Sequence, residues 1–112
     1  MDNLIRNILT ARVYDVAERT SLDFMPRLSK NLNTNIWIKR EDTQPVFSFK
    51  IRGAYNCIYQ LNAEARRKGV ICVSAGNHAQ GVALSGQALG IDTTIVMPIT
   101  APALKVQACQ AR

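Results

Sequence analysis

Lys50 stands in the run Ser48-Phe49-Lys50-Ile51-Arg52-Gly53-Ala54, and a second dense motif, Ser74-Ala75-Gly76-Asn77-His78-Ala79-Gln80-Gly81, follows downstream. A lysine at the mouth of a helix can form a Schiff base when its amine is neutral. The helix dipole, together with desolvation by Phe47, Phe49 and Ile51, would favour that nucleophilic form. The same position also suits an ordinary exposed lysine, at an electrostatic cost of about 0.3–1 kcal/mol. The second motif has the shape of an anion site. Ser74 can cap or donate, Gly76 allows close backbone approach, and the N–H groups of Asn77 and His78 are left unpaired by the helix they open. That shape also arises where Ser74 merely caps and Gly76 merely turns the chain. The Gly76 to Gly81 spacing imitates a P-loop, but Val82-Ala83 occupy the place of the required Lys-Ser/Thr, so a P-loop is rejected; no GxGxxG fingerprint occurs either.

The elements that must position these residues follow from apolar periodicity and from glycine and proline punctuation. A short helix is expected over Ala11–Thr20 and another over Pro26–Asn33, with Pro26 at a first helical position. Ile36-Trp37-Ile38 is a β-prone run between turn-like and charged segments. Phe47, Ile51, Ala54, Tyr55, Ile58 and Leu61 recur at three- and four-residue spacing, predicting a helix from about 49 to 67 that Gly69 ends. Val70-Ile71-Cys72-Val73 is an uninterrupted apolar run, the pattern of a strand covered on both faces. A helix over Asn77–Leu89 closed by Gly90, a strand over Thr93–Met97 stopped by Pro98, and a last helix opened by Pro102 complete the order. Alternating strands and helices predict an α/β fold with an open, mostly parallel sheet and flanking helices. At 112 residues with 47% hydrophobic content the chain is at most one domain and globular rather than disordered.

Charge and composition narrow the classes further. The formal charge is +6, yet the fourteen basic residues are scattered, and the one tight cluster, Arg66-Arg67-Lys68, precedes Gly69, where cations complement a helix C-terminus. No aromatic interleaving or RNA-binding signature accompanies them, so nucleic acid is not an expected partner. Three cysteines, Cys57, Cys72 and Cys109, form neither a paired framework nor a CxxC site and are expected as small buried hydrophobes in a reducing compartment. His78 is the single histidine, which leaves a structural zinc site without ligands. No stretch approaches the roughly 20 apolar residues that span a bilayer, and the first ten residues hold no leader core. A cytoplasmic protein is the expectation.

The stretch from Lys39 to Tyr55, with Arg40-Glu41-Asp42-Thr43-Gln44-Pro45-Val46 followed by Phe47-Ser48-Phe49-Lys50, closely resembles the threonine dehydratases when taken with the Ser74 to Gly81 block. The resemblance runs from about Val13 to the last residue and is nearer the biosynthetic branch, the entry to isoleucine. One departure is Thr20-Ser21-Leu22, where the family has Thr-Pro-Leu. The resemblance implies a fold-type II enzyme with pyridoxal 5'-phosphate as cofactor and an amino acid as substrate. It implies that Lys50 holds the cofactor as a Schiff base and then serves as base at Cα. Phe49 would pack on the pyridine ring, Asn77 would hydrogen-bond its phenolic oxygen, and Ser74 with the backbone of Asn77 and His78 would receive the substrate carboxylate. Ala75 lacks the hydroxyl that the related serine racemases place there, which favours elimination over racemisation. Residues 1–112 are then expected as the amino-terminal part of the catalytic domain, incomplete alone, because the family's phosphate cradle and pyridine-nitrogen partner would lie downstream. The complete protein is expected as a homo-oligomer. The alternatives are a related serine dehydratase or racemase, or a non-catalytic remnant.

Overall fold

The computed structural model describes residues 2–112. Its elements are α1 (Asp2–Thr10), β1 (Leu22–Phe24), α2 (Pro26–Leu32), β2 (Trp37–Lys39), α3 (Lys50–Tyr59), α4 (Ala63–Lys68), β3 (Val70–Val73), α5 (Asn77–Leu89), β4 (Thr93–Val96) and α6 (Ala103–Gln110). The α/β class holds, but the strands form two separate pairs. β3 and β4 are parallel with Val70 opposite Thr93, whereas β1 and β2 are antiparallel with Asp23 opposite Ile38. The expected strand at 36–38 therefore does not join the parallel sheet. Its partner, β1, alternates apolar and polar residues but is only three residues long, too short for its period to be read from the sequence.

Two expected helices change. Ala11–Thr20 contains only a single 3-10 turn at Val13–Asp15. The reason lies in a side chain far along the chain: Gln44, fully buried, accepts from the Glu18 N–H at 2.9 Å and donates to the Glu18 carbonyl at 2.9 Å, taking the backbone groups a helix would need. The expected 49–67 helix is broken at Gln60–Asn62. Asn62 adopts an extended conformation and its side chain accepts from the Ala65 N–H at 2.9 Å, opening α4 as a separate capped helix. The basic cluster does sit in the last turn of α4, and Gly69 ends it at φ +76°, a left-handed conformation that only glycine adopts without strain. α1, whose residues had been considered only as a leader, carries Leu4, Ile5, Ile8 and Leu9 exposed.

α5 is the central element. It packs on α3, on β3 and β4, and on α6. Its buried residues are mostly small, Ala79, Gly81, Ala83, Ser85 and Gly86, with Gln80 and Val82 among them, which allows neighbouring backbones to come close. One core cluster joins Ala54, Ile58, Val82 and Ile91. A second joins Ala17, Val46 and Ile51. β3 is covered on one face only: Val70 and Cys72 turn towards the helices, while Ile71 and Val73 are 70% and 77% exposed. The expected two-sided burial is thus corrected, because within this chain helices pack on one side of the strand pair. Cys57 is exposed rather than buried, and Cys72 and Cys109 are half-buried; all three are free thiols. Among the described residues no helix is long and apolar enough to cross a membrane.

Candidate functional site

Lys50 is the first residue of α3 and is exposed. The turn before it is shaped locally: Phe47 adopts φ +54° and donates its N–H to the Gln44 carbonyl at 2.7 Å, and the Ser48 hydroxyl accepts the Lys50 N–H at 3.3 Å. Ile51 points the other way and is fully buried, which fixes the first turn of α3 in the core. The apolar enclosure expected around the amine is absent. Phe47 and Phe49 are 73% and 58% exposed, and only the Phe49 ring approaches Lys50, with Nζ 5.2 Å from its centroid. The physical reason is position: in the first turn of α3 Ile51 meets the core, while Lys50 lies on the exposed side of the helix.

The loop that delivers Lys50 is held by a polar network that sequence spacing did not reveal. Arg52 Nε donates to Glu41 Oε2 at 2.8 Å and its Nη2 to Glu41 Oε1 at 2.8 Å, a two-pronged pair with side chains only 24% and 16% exposed. The Thr20 hydroxyl donates to Glu41 at 2.7 Å, and the Gln44 amide at 3.2 Å. Hydrogen bonds from Arg52 first, then from Thr20 and Gln44, hold the Glu41 carboxyl down to about 2 against the opposing effect of burial. Arg52 is raised in turn, chiefly by its hydrogen bonds to Glu41. The signal available in the sequence was a lone Arg-Glu-Asp run, and nothing in its composition pointed to residue 52 as its partner.

The second motif occupies the turn between β3 and α5. Ser74 donates its backbone N–H to the Val96 carbonyl at 3.0 Å, prolonging the parallel pairing, and its hydroxyl accepts the Gly76 N–H at 3.2 Å. Ser74 therefore stabilises the turn and does not cap α5, which has no side-chain cap among the described residues. The N–H groups of Asn77 and His78, the first two of α5, have no intrahelical acceptor and both residues are exposed. A Cβ placed on Gly76 would meet no atom within 4 Å, so the space before the turn is open. The Asn77 side-chain oxygen accepts from Lys105 Nζ at 3.3 Å, which leaves its amide N–H groups free to donate. Ala75 is half-buried between Ser74 and Gly76.

α3 and α5 bring the two motifs together. Gly81 lies on the same face of α5 as Asn77, about 6 Å along the axis, and a Cβ on it would stand 3.3 Å from the Lys50 carbonyl oxygen. The start of α3 is thereby set against the first turns of α5. The Lys50 main chain thus lies against α5 one turn beyond its first residue, and the His78 imidazole takes part in no hydrogen bond among the described residues.

The chain is 62% identical over 101 residues to threonine dehydratase 1, biosynthetic and chloroplastic, of Solanum lycopersicum, covering 90% of this chain and 17% of that protein. It is 58% identical over 100 residues to the biosynthetic L-threonine dehydratase of Haemophilus influenzae, covering 89% of this chain and 20% of that protein. Among solved structures, the processed form of threonine deaminase isoform 2 from Solanum lycopersicum superposes with a TM-score of 0.91 at 52% identity, over 98% of this chain and 32% of that one. Maize serine racemase does so with a TM-score of 0.87 at 35% identity, over 98% and 33%. The chain thus spans about a fifth of the curated relatives it matches and about a third of the solved chains. With residues 13–111 matching the family described as pyridoxal-phosphate dependent enzyme, the chain belongs to that family.

Proposed function

We propose that the protein carrying this chain converts L-threonine to 2-oxobutanoate and ammonia, a step towards isoleucine, and that residues 1–112 are the amino-terminal part of its catalytic domain. The observation that carries this is the helix crossing that sets the Lys50 turn beside the open, uncapped start of α5. The biosynthetic threonine dehydratases among the relatives supply the substrate class. The residues present fit pyridoxal phosphate: an exposed lysine, an adjacent aromatic face, an amide with free donors, and a glycine before which a Cβ would meet nothing. Lys50 would hold the cofactor aldehyde, Phe49 would pack on its ring, and Asn77 would donate to its phenolic oxygen. When bound, the cofactor accepts the electron pair left at the substrate Cα.

The chain's own groups do the rest. The Ser74 turn and the N–H groups of Asn77 and His78 bind the substrate carboxylate, which gains their hydrogen bonds and the dipole of α5. That binding fixes the direction of the Cα–H bond. Once the substrate amine has displaced it, the Lys50 amine takes the Cα proton, the β-hydroxyl leaves with that proton as water, and the released enamine takes up water to give the oxo acid and ammonia. In the complete protein, Lys50→Ala should abolish both the cofactor's visible absorbance band and ammonia release; an unchanged spectrum with unchanged turnover would refute the assignment.

A second reading, serine racemisation, has the maize racemase likeness in its favour. Racemisation needs a proton donor on the face of Cα opposite the lysine, and Ala75 has none. The intact enzyme should therefore leave residual L-serine chirally pure, as read by chiral chromatography, whereas accumulation of D-serine would move it to the racemases. We further infer a homo-oligomer and a cytoplasmic location. Free thiols in Cys57, Cys72 and Cys109 fit a reducing compartment, and organelle imaging of the complete protein decides between cytosol and the plastid or mitochondrial locations in some relatives' names.

A further inference from the structure

We propose that Gly81 is a positioning residue whose missing side chain sets the distance between the Lys50 turn of α3 and the first turn of α5. The proposal rests on the assignment of Lys50 made above. Glycine inside a helix costs about 1 kcal/mol relative to alanine, so an interior glycine calls for a packing reason. At Gly81 a Cβ would stand 3.3 Å from the Lys50 carbonyl oxygen, 3.4 Å from the Ile51 nitrogen and 3.4 Å from the Ala54 Cβ. The two at 3.4 Å are ordinary contacts, whereas the approach to the Lys50 carbonyl oxygen is tighter than that and falls on main chain, which cannot swing aside as a side chain does.

Of the six glycines in the chain, Gly81 alone abuts Lys50. Gly86 instead meets Thr93 and Ile91 and serves the sheet, and Gly53 and Gly76 meet nothing. The turn carrying Lys50 is also held from its other side, where Ile51 is fully buried and Arg52 is paired to Glu41. A methyl group at 81 therefore cannot be absorbed by moving α3 freely. It shifts the Lys50 main chain by a few tenths of an ångström relative to Asn77 and the carboxylate-binding turn. Reaction rates respond steeply to such misplacement, with about a hundredfold lost for 1 Å.

The test uses the complete enzyme. Pyridoxal phosphate is fixed to Lys50 by borohydride: the lysine nitrogen bonds the aldehyde carbon with loss of water, and hydride reduces the resulting C=N bond. Peptide mass spectrometry then counts loaded sites. Gly81→Ala should lower kcat per loaded site about tenfold and change KM for threonine less than about threefold. It should also slow the uptake of added cofactor by Lys50 in the apoenzyme. A mere folding defect would reduce the number of loaded sites without changing turnover at each. If Gly81→Ala does not fold, Ala54→Ser widens the same crossing from the facing helix and should show the same fall. Wild-type turnover per site and wild-type uptake in the folded variant overturn the proposal. A wild-type enzyme with no cofactor on Lys50 overturns the Lys50 assignment itself, and this proposal with it.

Discussion

The Glu41 carboxylate accepts from both prongs of Arg52, from the Thr20 hydroxyl and from the Gln44 amide, all while mostly shielded from water. Its pKa in the folded protein, about 2, lies below the usual carboxylate value. A depressed carboxylate adds stability that is present above the unfolded pKa, near 4.3, and is lost as pH falls through the folded value. The contribution is on the order of 2 kcal/mol at neutral pH. Denaturant titrations of the complete protein at pH 7, 4 and 2.5 should show wild type losing more stability than Glu41→Gln across that window. Parallel curves for the two proteins would mean that Glu41 is not held as its geometry indicates.

At the scale of elements, the two ends of α5 make opposite demands on glycine. Near its C-terminus, a Cβ on Gly86 would lie 2.1 Å from Thr93 Cγ2 and 2.8 Å from the Ile91 carbonyl, so Gly86→Ala must push β4 away from the helix. Overpacking of this kind costs about 1–3 kcal/mol or more, and the variant should melt clearly below wild type. At the N-terminus, Gly76 has extended dihedrals that alanine tolerates, and its Cβ would point into open space. Gly76→Ala should keep its stability to within about 0.5 kcal/mol. The methyl would instead occupy the approach to the Asn77 and His78 N–H groups, raising KM for threonine. Equal loss of melting temperature in both variants would contradict this division.

The whole molecule is a slab of 51 × 44 × 19 Å with a radius of gyration of 16.8 Å. A compact globule of this length would have about 13 Å. The difference reflects single-layer packing: helices cover one side of β3 and β4, while Ile71, Val73 and Val96 face outwards, as do Leu4, Ile8 and Leu9 on α1. Exposed apolar faces and strand edges of this extent favour association. The 112-residue chain prepared alone should run above monomer mass in light scattering coupled to size exclusion. It should also release no ammonia from threonine, because Lys50 and its aromatic neighbours lie open to water. A monodisperse monomer that turns over threonine would refute both expectations.

From residue 70 onwards the sequence by itself determined the order of elements. Val70–Val73 is a strand-length apolar run and Thr93–Val96 a β-branched one, Gly69 and Gly90 close helices, and Pro102 opens α6, so each boundary is set by local backbone chemistry. The start of α5 was legible for the same reason, since a helix start after a glycine turn leaves free N–H groups wherever it occurs. The tertiary structure alone decided which groups meet. Gln44 took the backbone of Glu18 and unmade an expected helix, and Arg52 found Glu41 across a loop. β1 drew β2 out of the parallel sheet, and Gly81 received the Lys50 carbonyl. Periodicity reports which face of an element is apolar, but carries no record of the partner that will cover it. Partners are chosen by close contacts between residues distant in sequence, and those distances exist only once the chain has folded.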